Sequence, residues 1–239
     1  MRGFLYALLL AAACPALAQP APAGLDARLF AAIAAGKELY AEGLVLREHA
    51  DVNARDAAHE TPLMRAVERN MTELAGVLLK AGASLYARTE NGESVLQLAA
   101  LSADPALTEL LLKAGADPKA RNDDGESALF WAALTGNART AAALLAGGAD
   151  PNVADLKGDT PLHAAADAGS VDTVKLLLPV TRDPRAKDRA GKTARELAAA
   201  RGYGEVVAVL DAWKPESGGT NFRTGPIRGP DKPLGGSAE

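Results

Sequence analysis

Thr160-Pro161-Leu162-His163-Ala164-Ala165, with Gly148-Ala149-Asp150-Pro151-Asn152 ahead of it, is the stretch on which the fold turns. A hydroxyl residue followed by proline reads as a helix start. The Thr160 side chain accepts a bond from an otherwise unpaired backbone N–H, and Pro161 sits at the first helical position, where no N–H is missed. Moving outward in steps of 33 residues finds the hydroxyl again at Thr61, Ser94, Ser127 and Thr193. Behind it, in the same register, run Ala66, Ala99, Ala132, Ala165 and Ala198, and ahead of it Gly92, Gly125, Gly158 and Gly191. Five windows keep step without an insertion, the signature of stacked repeats.

Each window reads as two short helices. Ser94 with Gln97, and Thr193 with Glu196, have the spacing of a reciprocal capping box, which marks the start of the first helix. Ten residues on, Asp104, Asn137 and Ser170 occupy a second N-cap position, with Pro105 just inside. Leu78-Leu79, Leu111-Leu112, Leu144-Leu145 and Leu177-Leu178 lie on the second helix, and Gly82, Gly115 and Gly148 stop it in a left-handed conformation. Neither helix is long enough to survive alone in water, so each must bury its apolar face on its neighbours.

The motif around Thr160 and the ending Gly148–Asn152 resemble the ankyrin-repeat family, over about residues 24–214. The resemblance implies an all-α solenoid of about six helix-turn-helix repeats with short β-turn or hairpin tips, divided at about 24–54, 55–87, 88–120, 121–153, 154–186 and 187–214. The first repeat lacks its leading turn: Leu29 and Gly36 keep the seven-residue offset of Leu162 and Gly169, and His49–Ala54 repeats the ending. Departures from the pattern are His59 in place of a turn glycine, Pro179 cutting the fifth second helix short, and Thr181-Arg182-Asp183 in place of Gly-Ala-Asp. Arg195 and Asp211 replace buried leucines, as suits a terminal repeat with one solvated face.

Outside the repeats, Met1-Arg2, the apolar run Phe4–Ala13 and Ala16-Leu17-Ala18 have the form of a signal peptide, residues 1–18, cleaved after Ala18. The apolar run is too short for a retained span, which needs roughly 20 residues. Export to a bacterial periplasm is therefore expected, without stable membrane insertion afterwards. A second reading takes Ala11-Ala12-Ala13-Cys14 as a lipoprotein site acylated at Cys14, although Ala11 stands where such sites usually carry Leu. Cleavage after Ala18 removes the one cysteine, and the remaining formal charge, about −5 once Arg2 is subtracted from −4, argues against a nucleic-acid or anionic-membrane binder. Residues 215–239, rich in Gly and Pro and without period, read as a flexible tail in which Asn221-Phe222-Arg223 is either part of an end without a role or a docking segment.

Catalysis needs converging groups, and the supply is thin. No nucleophile elbow, phosphate-cradling glycine loop or His-Glu-x-x-His pattern occurs. His49 and His59 have no partner at metal-ligand spacing, and the resemblance makes His163 a residue that bonds neighbouring backbone and holds repeats together. The Asp123-Asp124 pair sits on a turn tip too wet to raise a carboxyl pKa for acid/base work. No catalytic residue, metal site or cofactor is expected, and the chain is expected to be monomeric.

The resemblance places partner binding on turn tips and first helices, which line a concave side. By register the candidate positions are Arg88, Glu90, Asn91, Glu93, Arg121, Asp123, Asp124, Glu126, Trp131, Lys157 and Asp159. A basic residue opens four of five turns, at Arg55, Arg88, Arg121 and Lys187, with Ala154 the exception. These rows either neutralise the tip acids as exposed ion pairs or leave the acids to steer a basic partner. Phe130-Trp131 cannot direct both rings to one side, so Trp131 is either a binding anchor or core packing. The expected function is non-catalytic binding of a folded protein, with a similarity to small exported repeat proteins associated with catalases and peroxide protection. The alternative is an inhibitor or immunity protein that occludes a toxic envelope enzyme.

Overall fold

The computed structural model describes residues 24–214; the expected signal peptide 1–18, Cys14 and the segment 215–239 lie outside the described residues. Twelve α-helices follow one another in six pairs: α1 (Leu25–Ala34) with α2 (Glu38–Leu46), α3 (Pro62–Glu68) with α4 (Thr72–Lys80), and α5 (Val95–Ala100) with α6 (Ala106–Lys113). Then come α7 (Ala128–Leu134) with α8 (Ala138–Ala146), α9 (Pro161–Asp167) with α10 (Val171–Leu177), and α11 (Ala194–Arg201) with α12 (Gly204–Ala212). Odd-numbered helices pack in one row and even-numbered helices in a second, each helix touching its equivalent in the next pair. The tips close as isolated bridges at Arg88–Ser94, Arg121–Ser127 and Lys187–Thr193.

The hydroxyl residues start the first helices as expected. Ser94 and Thr193 form capping boxes with Gln97 and Glu196, and Thr61 and Ser127 accept from Met64 N at 3.3 Å and Phe130 N at 3.2 Å. The second helices depart from the expected caps. Only Ser170 caps with its side chain, accepting from Thr173 N. Pro105 rather than Asp104 takes the N-cap of α6, because the Asp104 carboxylate closes a turn on Ala106 N at 3.1 Å. Asn137 holds the N-cap position of α8, but its amide donates backwards to Ala100 O and Leu101 O, bonding α8 to the preceding repeat.

Helices stop where glycine permits a positive φ. Gly82, Gly115 and Gly148 have φ of 92°, 96° and 94°. In the first of these turns Gly82 N bonds Leu79 O while Ala83 N bonds Leu78 O, the paired bonds of a Schellman ending. Without glycine, His49 (φ 60°), His59 (φ 58°) and Asn70 (φ 56°) take the same left-handed region. At Pro179 the chain makes a 3₁₀ turn over Leu178–Val180 and continues, with Thr181 Oγ1 bonding Leu177 O at 2.8 Å.

The period is also the period of the core. Ala66, Ala99, Ala132, Ala165 and Ala198 are each fully buried, as are Leu63, Leu96, Leu129 and Leu162 behind them and Leu78, Leu111, Leu144 and Leu177 on the second helices. Alanine on the first helix lets its neighbour approach, and each buried leucine contributes about 1.5–3 kcal/mol. At the C-terminal end only Ala194, Ala198 and Val206 of α11 and α12 are buried. There Arg195 and Asp211 meet in an exposed ion pair, Nη2 to Oδ2 at 2.8 Å, on the face that in earlier repeats is leucine.

Candidate partner-binding surface

Every tip is built on one device. Asp56, Thr89, Asn122, Asp155 and Asp188 accept with the side chain from the backbone N–H four residues on, that of Glu60, Glu93, Glu126, Asp159 and Lys192. Consecutive tips are then stitched by backbone bonds from Asp123 N to Asn91 O, Leu156 N to Asp124 O and Arg189 N to Lys157 O, at 2.9–3.1 Å. This stitching fixes Asn91, Asp124 and Lys157 through their carbonyls and leaves their side chains exposed.

The basic row does not pair with the acids. Arg55 reaches His59 O and Arg88 O, and Arg88 reaches Gly92 O at 3.2 Å and Arg121 O at 3.5 Å. Arg121 reaches Gly125 O at 2.7 Å and Ala154 O. Each guanidinium thus bonds its own turn and the equivalent carbonyl of the next repeat, a ladder that ends at Ala154. Of the two readings of these rows, neutralisation by exposed ion pairs does not hold for Arg55, Arg88 and Arg121: they spend their donors on carbonyls, since a planar fork with several N–H groups can satisfy two tips at once.

The acids are left under-compensated. Glu90, Asp123 and Asp124 are exposed, and the nearest cation to Glu90 is His59, 3.9 Å away if protonated. Half-buried Asp159 is pushed up from the ordinary carboxylate range by burial and by neighbouring Asp155, which together outweigh His163 and Lys157; its Oδ1 is buried without a partner. In the second repeat one cation serves three acids. Arg65 lies 2.7 Å from Asp56, 2.9 Å from Glu60 and 3.0 Å from Glu68. Burial raises Asp56, but the Arg65 bond and the N–H groups of Glu60 and Ala58 bring it below its usual value. Glu60 is raised, by burial and then Glu68, with Arg65 opposing; its Oε2 has the cation close by but no aligned hydrogen bond.

Phe130 and Trp131 divide as two adjacent helical positions must. Phe130 is buried in the core, whereas Trp131 packs on the core with part of its ring open to solvent. Its Nε1 donates to Glu126 Oε2 at 2.7 Å, and Asn122 Nδ2 donates to the same oxygen at 3.0 Å, so tip and ring are held as one unit. Glu93 is fixed similarly, by Thr89 Oγ1 at 2.8 Å.

Residues outside the candidate set complete this face. Leu134 follows Trp131 by one helical turn and is 48% exposed; Leu101, its equivalent one repeat earlier, is 51% exposed and lies one turn beyond Leu98. Since α5 and α7 pack side by side, Leu101, Trp131 and Leu134 share the first-helix face, with Leu98 buried beside them. The flanking repeats carry Arg65, Glu68 and Asp167 at those positions, with Asp167 bonded to Arg201 at 2.9 Å. The two leucines recur 33 residues apart where neighbouring windows are charged, a signal present in the sequence. Gln97 was likewise missed as a linker: its Nε2 bonds Glu126 O of the next repeat at 3.0 Å. This parallels His163, which bonds Thr160 through Nδ1 and Ala186 O through Nε2 at 3.1 Å.

Among the described residues no helix is long and apolar enough to cross a membrane. The family model for ankyrin repeats (3 copies) matches residues 29–122, 96–188 and 129–211, well over half of the chain. No curated protein matches at a significant level. Continuous family matches over all six helix pairs, on a structure whose helices, tips and inter-repeat bonds recur with the same period, lead to one conclusion: the chain belongs to the ankyrin-repeat family, whose stacked repeats are protein–protein interaction modules.

Proposed function

We propose that this chain is a non-catalytic binding protein that grips a folded partner with the tips and first helices of its third and fourth repeats. The observation that carries the reading is Trp131, partly buried beside the exposed Leu101 and Leu134 and oriented by Glu126. Aromatic anchors held rigid before binding lose little entropy on association and dominate interface energy. The acids Glu90, Asp123 and Asp124 border this face and favour a basic partner, mainly by raising its association rate. Binding in the periplasm after cleavage at Ala18 is part of the proposal, supported by the leader-like residues 1–18 and the absence of any other cysteine. A role in peroxide protection rests on the similarity to catalase-associated exported repeat proteins.

Pull-down from periplasmic extract with the native chain and with Trp131→Ala tests the binding face. The reading expects a discrete basic partner captured by the native chain and at least tenfold less by the variant, with equal helical circular dichroism. Equal capture by both would sink it. The same acid border also fits a second reading, occlusion of a basic envelope enzyme, which predicts that the captured protein loses its activity while bound. Mass spectrometry of the secreted product should find a new N-terminus at Gln19.

A further inference from the structure

The tips of the stack are held together unequally. Backbone bonds join the third repeat's tip to the fourth, the fourth to the fifth and the fifth to the sixth, from Asp123 N to Asn91 O, Leu156 N to Asp124 O and Arg189 N to Lys157 O. By register the second and third tips should share a bond from Glu90 N to Ala58 O, and among the described residues no such bond is made.

The cause is His59. Gly92, Gly125 and Gly158 hold the equivalent place in the next three tips, with φ of 75°, 79° and 85°. A Cβ on them would lie 3.1 Å from Asp123 N, 3.4 Å from Leu156 N and 2.9 Å from Arg189 N, at or inside van der Waals contact with the atom that makes each bond. Consecutive tips close on one another where that carbon is absent. His59 carries it, in the same left-handed conformation at φ 58°, and keeps Glu90 N away from Ala58 O.

What crosses this junction instead is softer. Arg55 donates to His59 O in its own tip and to Arg88 O in the next at 3.1 Å, while the His59 ring stands 3.9 Å from the Glu90 carboxylate, Nε2 to Oε1. The other charges of the two tips are already engaged: Asp56 and Glu60 face Arg65, Glu93 is bonded by Thr89, and Arg88 reaches Gly92 O and Arg121 O. Glu90 is left to His59, and the pair attracts when the imidazole is protonated.

We propose that the junction between the second and third repeats is a joint, about which the first two repeats swing against the other four, and that protonating His59 fastens it through Glu90. The proposal rests on the reading of the third and fourth repeats as the binding face, and adds the regulation of that face. Because Glu90 stands at both the joint and the face, acidification stiffens the edge of the face and withdraws one carboxylate from a basic partner.

The experiment uses the free full chain and needs no partner. Amide exchange read by nuclear magnetic resonance compares the Glu90 N–H with those of Asp123, Leu156 and Arg189. Exchange at Glu90 is expected to be about tenfold faster, and to slow to match the others in His59→Gly, where the missing bond can form. Motion is read from spin-label distances in a Cys14→Ala background, with one pair at Glu73→Cys and Arg139→Cys across the joint and a second at Ala106→Cys and Asp172→Cys beyond it. The first pair should give the broader distribution at about pH 8 and narrow at about pH 5, either side of an ordinary imidazole. It should also narrow in His59→Gly, and Glu90→Gln should abolish the effect of pH; the second pair should not change. Equal widths for the two pairs at the higher pH would overturn the joint, as would a Glu90 amide as protected as that of Asp123. Narrowing on acidification that survives Glu90→Gln would overturn the latch. Partner capture lost in Trp131→Ala while both pairs are equally narrow removes the joint and keeps the face; capture insensitive to Trp131→Ala removes the face.

Discussion

Single side chains in this protein show how one cation or one buried oxygen sets a local balance. Arg65 holds three carboxylates, and Arg65→Met leaves Asp56, Glu60 and Glu68 facing one another. A charge-assisted bond is worth roughly 1.5–3 kcal/mol, and partial exposure reduces it, so the variant is expected to lose about 1–2 kcal/mol at pH 7 in urea unfolding. Asp56 lies below its usual pKa in the native chain, so the stability it contributes is complete above the unfolded-state value and fades as pH falls through the lowered one. The gap between native and variant should therefore narrow below about pH 4. Asp159 has the opposite sign. Its pKa is raised, so its contribution is full below the unfolded-state value and is lost as pH rises through the folded one. Asp159→Asn should then melt higher than the native chain at neutral pH, and the gain should close near pH 3.5; no gain at pH 7 would contradict the uncompensated oxygen.

The recurring units are helix pairs and the tips that join them, and their boundaries followed from capping chemistry. Thr61, Ser94, Ser127 and Thr193 were legible as helix starts because an oxygen one residue before a helix has a fixed job, satisfying an N–H that the helix cannot. Asn137 was not legible, because the same amide can cap its own helix or bond a neighbouring repeat, and only proximity to Ala100 O and Leu101 O chooses. The arginine ladder escaped the sequence for the same reason: charge suggests ion pairs, whereas the carbonyls of the next tip are close only once the repeats are stacked. The break at Ala154 gives a test. Ala154→Arg should extend the ladder toward Gly158 O and Lys187 O and raise the melting temperature by about 2–4 °C, for a gain near 0.5–1 kcal/mol. Arg121→Met should lower it by a similar amount, read in the same thermal melts.

Across the stack, stability is a sum of repeats and their interfaces, so the ends need not match the middle. The third to fifth first helices bury almost every side chain, while α11 and α12 bury three between them and close with the exposed Arg195–Asp211 pair. Native-state hydrogen exchange should find α11 and α12 opening first and α5, α7 and α9 opening last, with protection approaching that of global unfolding. Leu129→Ala, at a fully buried position in the middle of the stack, should cost about 2–5 kcal/mol in denaturant unfolding. Uniform exchange across all twelve helices would contradict the graded core.

Repetition is what made the architecture readable from the chain alone. A pattern written five times, with hydroxyl, alanine and glycine each serving one geometric need, admits one arrangement of short helices that must bury their faces on one another. The binding face is different in kind. Trp131 stood out as one of two adjacent aromatics, but its rigidity comes from Glu126 and Asn122, and its apolar company from Leu134 on its own helix and Leu101 at the end of α5. The bonds to Glu126 are local to one repeat, but the approach of Leu101 and the commitment of the arginines to carbonyls 33 residues on exist only because folding sets equivalent positions side by side, and that proximity is a property of the packed stack.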